Sequence, residues 1–402
     1  MRINNEYFIL FLITLLNLAL LIYSISSLSI SFNEAEIFYS NSSFLKEFGF
    51  LHEIVNGSNI AFGDILGKDL AVRLPFLLAH FINIFLIYKI SKKILPDRYQ
   101  RLIAACVYMY LPGVMASAII INSAVFIILI ALIALYLVQN SHFKSLLALL
   151  AASIFVSNAF LALYLALFFF ALYDKKRNLA IFAAIFSIIW LFVFDFDFSG
   201  KPKGYIIDAM AIFGATFSPL IFIYFIYAVY RMWIKEHKDF LWFISISAFC
   251  ACLLFSVRTK PPFELFLPFC VIFIPHMIRL FFASYFVRLP KFRFKYKLLA
   301  FLMLFTLGLN ALVSIFPEFL YAFLSNPKSH FAYKYSVAKE LASELKKLGI
   351  NEISSDFKLA RRLEFYEIKG GAKLFLSEQK CSNKSVEIKK FGVKIAQFFI
   401  CE

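Results

Sequence analysis

Residues 7–30 read YFILFLITLLNLALLIYSISSLSI, and residues 32–39, directly behind them, read FNEAEIFY. The first stretch is apolar almost throughout. As a helix it is long enough to cross a hydrocarbon layer of about 30 Å. The second sets Glu34 and Glu36 among Phe32, Phe38 and Tyr39, so a carboxylate pair is delivered to a membrane surface. Arg73-Leu74-Pro75 then opens the next apolar run. In a chain only 16% charged, an acidic pair beside a bilayer points to chemistry on a lipid-linked substrate.

The composition carries this first span to the whole chain. Of 402 residues, 62% are hydrophobic and 53 are Phe. A soluble core cannot absorb so much apolar surface, and runs of about 20 apolar residues recur. In lipid each span must satisfy its own backbone hydrogen bonds, which favours helices. The runs are continuous rather than alternating, which argues against a β-barrel. The fold class expected is therefore an all-α polytopic membrane protein with a small C-terminal periplasmic α/β domain.

About eleven transmembrane helices are expected, at 7–30, 70–89, 101–119, 122–139, 145–157, 159–173, 179–194, 206–230, 239–257, 264–287 and 298–316. The 145–173 pair would be short. One long tilted span there would flip everything downstream, but basic residues at Lys144 and at Lys175 to Arg177 favour a hairpin. Outside the C-terminal tail, the excess positive charge behind the net +16 falls mostly in four short connections. These are Lys89, Lys92, Lys93, Arg98 and Arg101; Lys175, Lys176 and Arg177; Arg231, Lys235 and Lys238; and Arg288, Lys291, Arg293, Lys295 and Lys297. Such a distribution follows the positive-inside rule rather than a nucleic-acid footprint, so no nucleic-acid partner is expected. It puts the N-terminus in the cytoplasm and the loop 31–69 outside, in an inner (plasma) membrane. The first span reads as an uncleaved anchor, since no Ala-x-Ala site follows it.

The middles of the spans are nearly free of charge, holding only His80, His276 and Arg279, and a lone His there is usually a packing residue. So little charge near the midplane speaks against an ion-coupled transporter. Cys106, Cys250, Cys252 and Cys270 lie in spans and read as small buried hydrophobes. No spacing resembles a metal site, so no cofactor is expected, with a divalent ion left open.

The division expected is a membrane part at 1–316 and an external α/β domain at 317–402. Within the latter, 335–348 has helical periodicity, with Val337, Leu341 and Leu345 on one face. Segment 359–366 looks helical, with Arg361 and Arg362 outward. Strand candidates are 352–355 and 372–376, and 386–390 with 394–400 form a hairpin about Phe391-Gly392. Cys381 and Cys401 would then face each other across its open end, either as a disulfide worth roughly 3 kcal/mol or as two free thiols.

Transfer of a sugar from a lipid phosphate needs a base, cations for the departing phosphate and an apolar groove. Glu34 and Glu36 are the candidate bases; the alternative is an acidic turn favouring a helix N-terminus. The same loop holds Lys46, Glu47, His52, Glu53, Asp64, Lys68 and Asp69. Its Phe44, Phe48, Phe50, Leu51 and Ile54 suggest interfacial amphipathic helices. Arg258-Thr259-Lys260-Pro261-Pro262 is a rigid basic turn suited to phosphate. Asn122-Ser123 caps another external turn. Asp195-Phe196-Asp197 is a weak metal pattern that reads better as helix-end solvation, with Lys201 and Lys203 able to meet phosphate or headgroups.

Taken in order, these pieces resemble the GT-C class of integral-membrane glycosyltransferases. The likeness is to the branch of the protein O-mannosyltransferases and the lipid A aminoarabinose transferase. The family's Asp-Glu-Ala motif after the first span looks like Asn33-Glu34-Ala35, with Phe38 and Tyr39 following. Its Arg-Leu-Pro matches Arg73-Leu74-Pro75, and its Thr-Asp-Ala turn corresponds to Asn122-Ser123-Ala124. His52-Glu53 fits a His-Pro-Pro in part, and Lys260-Pro261 with Leu267-Pro268 is similar to a late external turn. The resemblance implies an enzyme moving a sugar from a polyprenyl-phosphate donor to a lipid, glycan or protein acceptor. Glu34 or Glu36 would act as base. Asn33, Tyr39, His52, Lys68, Arg73, Asn122, Arg258 and Lys260 would contact substrate. The chain departs from the family where Asn stands at 33 and 122, because an amide is no base. A catalytically inactive relative that binds lipid-linked glycans is therefore a rival, and a lipid-linked-sugar flippase is a second.

Overall fold

A computed structural model describes residues 3–40, 47–194, 204–258, 263–324, 326–371, 373–381 and 384–401. It is 76% helical, with a three-stranded sheet at the C-terminus. Helix α1 (Ile3–Ser27) leads to the short α2 (Phe32–Phe38), then α3 (Glu47–Leu66) and the single turn α4 (Lys68–Ala71). Next come α5 (Leu74–Ile94), α6 (Arg98–Met109), α7 (Pro112–Ile119), α8 (Ala124–Gln139), α9 (Phe143–Ser153), α10 (Leu161–Tyr173) and α11 (Arg177–Val193). The last six of the bundle are α12 (Ile206–Phe217), α13 (Pro219–Lys235), α14 (Phe240–Arg258), α15 (Phe263–Val271), α16 (Ile274–Val287) and α17 (Pro290–Ile315).

Every expected span is helical, but the count of eleven is not reached. Among the described residues four helices, α1, α5, α14 and α17, are long and apolar enough to cross a membrane. The number rises to seven if three bent pairs each count once: α6–α7 at 59°, α12–α13 at 107° and α15–α16 at 43°. Helices α8 to α11 are apolar but shorter. Proline sits at each break, in the first turn of α7 (Pro112), α13 (Pro219) and α16 (Pro275). It has no N–H to give the preceding turn, and at Pro112 and Pro219 the residue before it leaves the helical region, whereas Ile274 before Pro275 stays helical. Leu111 is accordingly extended (ψ 130°), and Ser218 takes a positive φ of 74°.

The four basic clusters meet at one end of the bundle. Lys93 donates to the Gln139 carbonyl and to Asn140 Oδ1, at 2.5 and 2.8 Å. Lys176 stands over Phe143 at the start of α9, and Lys238 over Tyr173 at the end of α10. Arg279 pairs with Glu236, and Arg231 donates to Ser284.

The C-terminal segment lies at the other end. After short 3-10 turns come α18 (Ala338–Lys347), α19 (Phe357–Phe365), β1 (Phe375–Ser377), β2 (Ser385–Lys390) and β3 (Val393–Cys401). The sheet is antiparallel in the order β1-β3-β2. Phe391 and Gly392 join β2 to β3 with φ of 47° and 78°, the left-handed pair that a tight hairpin loop requires. Leu341 and Leu345 of α18 pack with Val386, Ile388 and Phe398 in a core of their own. Cys381 and Cys401 are joined by a disulfide, with Cα atoms 5.9 Å apart.

Three details differ from expectation. The 352–355 segment makes only two isolated bridges, Glu352 to Lys369 and Ser354 to Phe375. Its neighbours belong to separate segments, so no continuous ladder forms. The expected strand at 372–376 is displaced to Phe375–Ser377. Arg362 points inward rather than outward, because the Ile30 carbonyl on the bundle side and the Lys334 carbonyl within the segment accept from its guanidinium.

Candidate functional site

Helix α2 begins with a reciprocal cap. Ser31 Oγ accepts from the Glu34 N–H at 3.4 Å, and Glu34 Oε2 accepts from the Ser31 N–H at 2.8 Å. This capping box satisfies two orphan donors and turns the Glu34 carboxylate back into the protein. There its side chain is 1% exposed, as is that of Arg73. Arg73 Nη2 lies 3.3 Å from Glu34 Oε1 and 3.2 Å from Oε2. Oε1 also accepts from the Ile121 N–H at 2.9 Å. Each carboxylate oxygen thus has two donors, drawn from the α2 cap, the entrance of α5 and the α7–α8 turn.

The network continues into the C-terminal segment. Arg73 Nη2 reaches the Ser29 carbonyl at 3.3 Å, and Nη1 lies 3.9 Å from Asp69 Oδ1. Asp69 accepts from the Tyr366 hydroxyl at 2.8 Å and pairs with Lys339 at 2.8 Å. Tyr366 in turn accepts from the Ile30 N–H at 3.0 Å. Arg362 donates to the carbonyls of Ile30 and Lys334, at 2.9 and 2.7 Å. Burial pushes the Tyr366 and Tyr335 hydroxyls upward in pKa. The charges of Glu34 and Glu264 add to the effect on Tyr335. Glu264 opens α15, so the start of that helix belongs to this same end of the molecule.

Around this buried centre the other sequence candidates are spread. Asn33 and Glu36 are exposed and lie one turn apart on the same face of α2. No hydrogen bond or ion pair among the described residues engages Glu36. Tyr39 ends α2 with Arg361 4.5 Å above its ring, and burial pushes its phenol up to about 12. His52 Nδ1 lies 3.0 Å from the Ile37 carbonyl and pins α3 to α2. Lys68 faces outward to Glu367 at 2.6 Å. Asn122 Oδ1 accepts from the Ala124 N–H at 2.9 Å, just ahead of α8. Arg258 is exposed at the end of α14. Lys260 lies outside the described residues, as do Phe44, Lys46, Asp195, Asp197, Lys201, Lys203 and the Thr259 to Pro262 turn.

The carboxylates therefore separate by environment. Glu34 has its acceptor sites filled by protein donors, whereas Glu36 faces solvent. Sequence reasoning missed Tyr335, Lys339, Arg362 and Tyr366, which carry no local signal for a site begun three hundred residues earlier. It also passed over Ser31-x-x-Glu34, a capping-box signature that was readable.

An open apolar groove of about 770 Å³ runs between α1, α6 and α17, lined by Leu20, Leu102, Cys106, Tyr110, Leu312 and Ile315. Ile315 and Tyr110 also belong to the apolar cluster around Leu28 and Tyr335. Among the described residues, no group of three or more His, Cys, Asp or Glu side chains is placed to hold a metal ion. No family model matches the chain, and no similar curated protein was found.

Proposed function

We propose that the protein is a membrane glycosyltransferase that moves a sugar from a polyprenyl-phosphate donor to a lipid, glycan or protein acceptor. In this reading α8 to α11 also lie within the membrane, completing about eleven crossings. The basic end faces the cytoplasm by the positive-inside rule, and the C-terminal segment faces the periplasm. The acceptor hydroxyl oxygen attacks the anomeric carbon as the carbon–oxygen bond to phosphate breaks. The polyprenyl phosphate departs with the electron pair. Glu36 receives the hydroxyl proton, Asn33 and Asn122 orient hydroxyl groups, and Arg258 and Lys260 neutralise the phosphate. The apolar groove holds the prenyl chain. Glu34 and Arg73 act as the frame rather than the reagents.

The observation that carries the reading is the meeting of α2, the α5 entrance and the α7–α8 turn on the buried Glu34, with the exposed Glu36 presented beside it. A second reading, a non-catalytic binder of lipid-linked glycans, is favoured by the amide at Asn33 and the filled acceptor sites of Glu34.

The test is turnover of a polyprenyl-phosphate sugar by purified protein in nanodiscs, beside donor binding. Glu36→Gln should abolish transfer with the unfolding temperature unchanged. Full turnover in that variant removes this mechanism; donor binding without turnover in the unaltered protein selects the second reading.

A further inference from the structure

The basic end carries a pocket that the proposed transfer does not use. Between α13, α16 and α17 lies an open cavity of about 550 Å³, lined by Arg231, Lys235 and Arg288 together with Tyr227, Tyr230 and Tyr296. No salt bridge among the described residues engages any of these three cations. Two of them are held in place. Arg231 donates to Ser284, and to the Tyr227 hydroxyl at 3.4 Å. Arg288 lies 4.2 Å over the Tyr296 ring. The turn that presents Arg288 is tied by Arg293, which donates to the Arg288 and Phe286 carbonyls at 3.0 and 3.3 Å.

Deeper along the same seam is a second cavity of about 170 Å³, lined by Tyr224, Ile278, Phe281, Phe282 and Met303 and wholly apolar. Aromatic contacts join the two. Tyr224 in the apolar cavity packs on Tyr227 in the basic one at 5.7 Å, and Phe281 packs on Tyr296 at 6.0 Å. One seam thus presents a cationic mouth at the end of the bundle and an apolar slot toward its middle.

We infer that this seam binds a phospholipid with an anionic headgroup. The phosphate lies among Arg231, Lys235 and Arg288, and an acyl chain lies in the slot beside Phe281 and Phe282. Charge complementarity selects the headgroup, since basic pockets between membrane helices favour anionic lipids. The tyrosines suit the boundary where the chain meets the polar layer. A free phosphate would satisfy the mouth but leave the slot without an occupant. The inference rests on the membrane setting alone, not on sugar transfer.

Native mass spectrometry of the delipidated protein supplied with phosphatidylglycerol or phosphatidylcholine reads the site. Phosphatidylglycerol should be retained and phosphatidylcholine lost. Arg231→Gln with Lys235→Gln and Arg288→Gln should lower retention by roughly tenfold or more. Lys291→Gln with Lys295→Gln, which removes exposed charge outside the pocket, should leave it unchanged. The wild-type protein supplies an arm that needs no variant: phosphatidylglycerol with a photoreactive acyl chain should label α13 and α16. Equal retention of both lipids, equal loss in the Lys291/Lys295 variant, labelling elsewhere, or thermal stabilisation by inorganic phosphate as large as by phosphatidylglycerol overturns the assignment.

Discussion

A single nitrogen of Arg73 bridges both oxygens of Glu34: Nη2 lies 3.3 Å from one and 3.2 Å from the other, and both side chains are 1% exposed. Taking one partner from a buried pair strands the other charge, at a cost of about 3–5 kcal/mol. Arg73→Leu and Glu34→Leu should each lower the unfolding temperature sharply, and the double variant should recover part of the loss. Glu36→Gln, at an exposed position, should leave it within about 0.5 kcal/mol. Thermal unfolding in detergent decides it. An Arg73→Leu protein as stable as the wild type would mean the pair does not hold these segments together.

Arg362 fastens the C-terminal segment to the bundle by donating to Ile30 O, with Ser29 Oγ at 3.4 Å from Nη2, and it donates to Lys334 O within the segment. Arg362→Ala strips donors from part-buried carbonyls, worth about 1–3 kcal/mol. Amide exchange should rise in α19 and in residues 29–31 while α14 stays protected. Unchanged exchange at 29–31 would contradict this fastening.

Glu367 accepts from Lys68 at 2.6 Å and Lys346 at 3.1 Å, and these hydrogen bonds hold its carboxyl down to about 2, from 4.5. A depressed carboxyl stabilises above its unfolded value and loses that contribution as pH falls. The α4 contact should therefore weaken between pH about 4.5 and about 2. The group is largely exposed, so the effect is at most about 1 kcal/mol and should shrink with salt. Comparing acid titration of wild type and Glu367→Gln isolates it; identical profiles would remove the role.

The Cys381–Cys401 bond spans 20 residues and ties the end of β3 to the chain ahead of β2. Cys401→Ser should cost the C-terminal segment about 3 kcal/mol by the chain-entropy argument, with the bundle unaffected. Exchange rates across β1 and β3, with and without reductant, measure this. Equal protection in the reduced protein would show that the sheet needs no staple.

Much of the architecture was legible because its causes are local. Apolar run length marked the helices, but 101–119, 206–230 and 264–287 each read as one span, and the break inside each was not read. The Phe391-Gly392 pair announced a hairpin, and two cysteines placed about it left a bond or two free thiols open until the structure joined them. The number of straight crossings was not legible. Hydropathy averages over a bend, whereas the 59°, 107° and 43° angles arise from how each half packs.

The site divides in the same way. Composition and order alone singled out Glu34 and Glu36 behind the first apolar run and Arg73 at the entrance of the next, without pairing them. Two residues apart, the two glutamates point about 200° apart around a helix, so at most one of them can face inward. Nothing local chooses between them. The choice is made by the Arg73 guanidinium and the Ile121 amide arriving from distant segments, because a buried carboxylate persists only where such donors compensate its lost hydration.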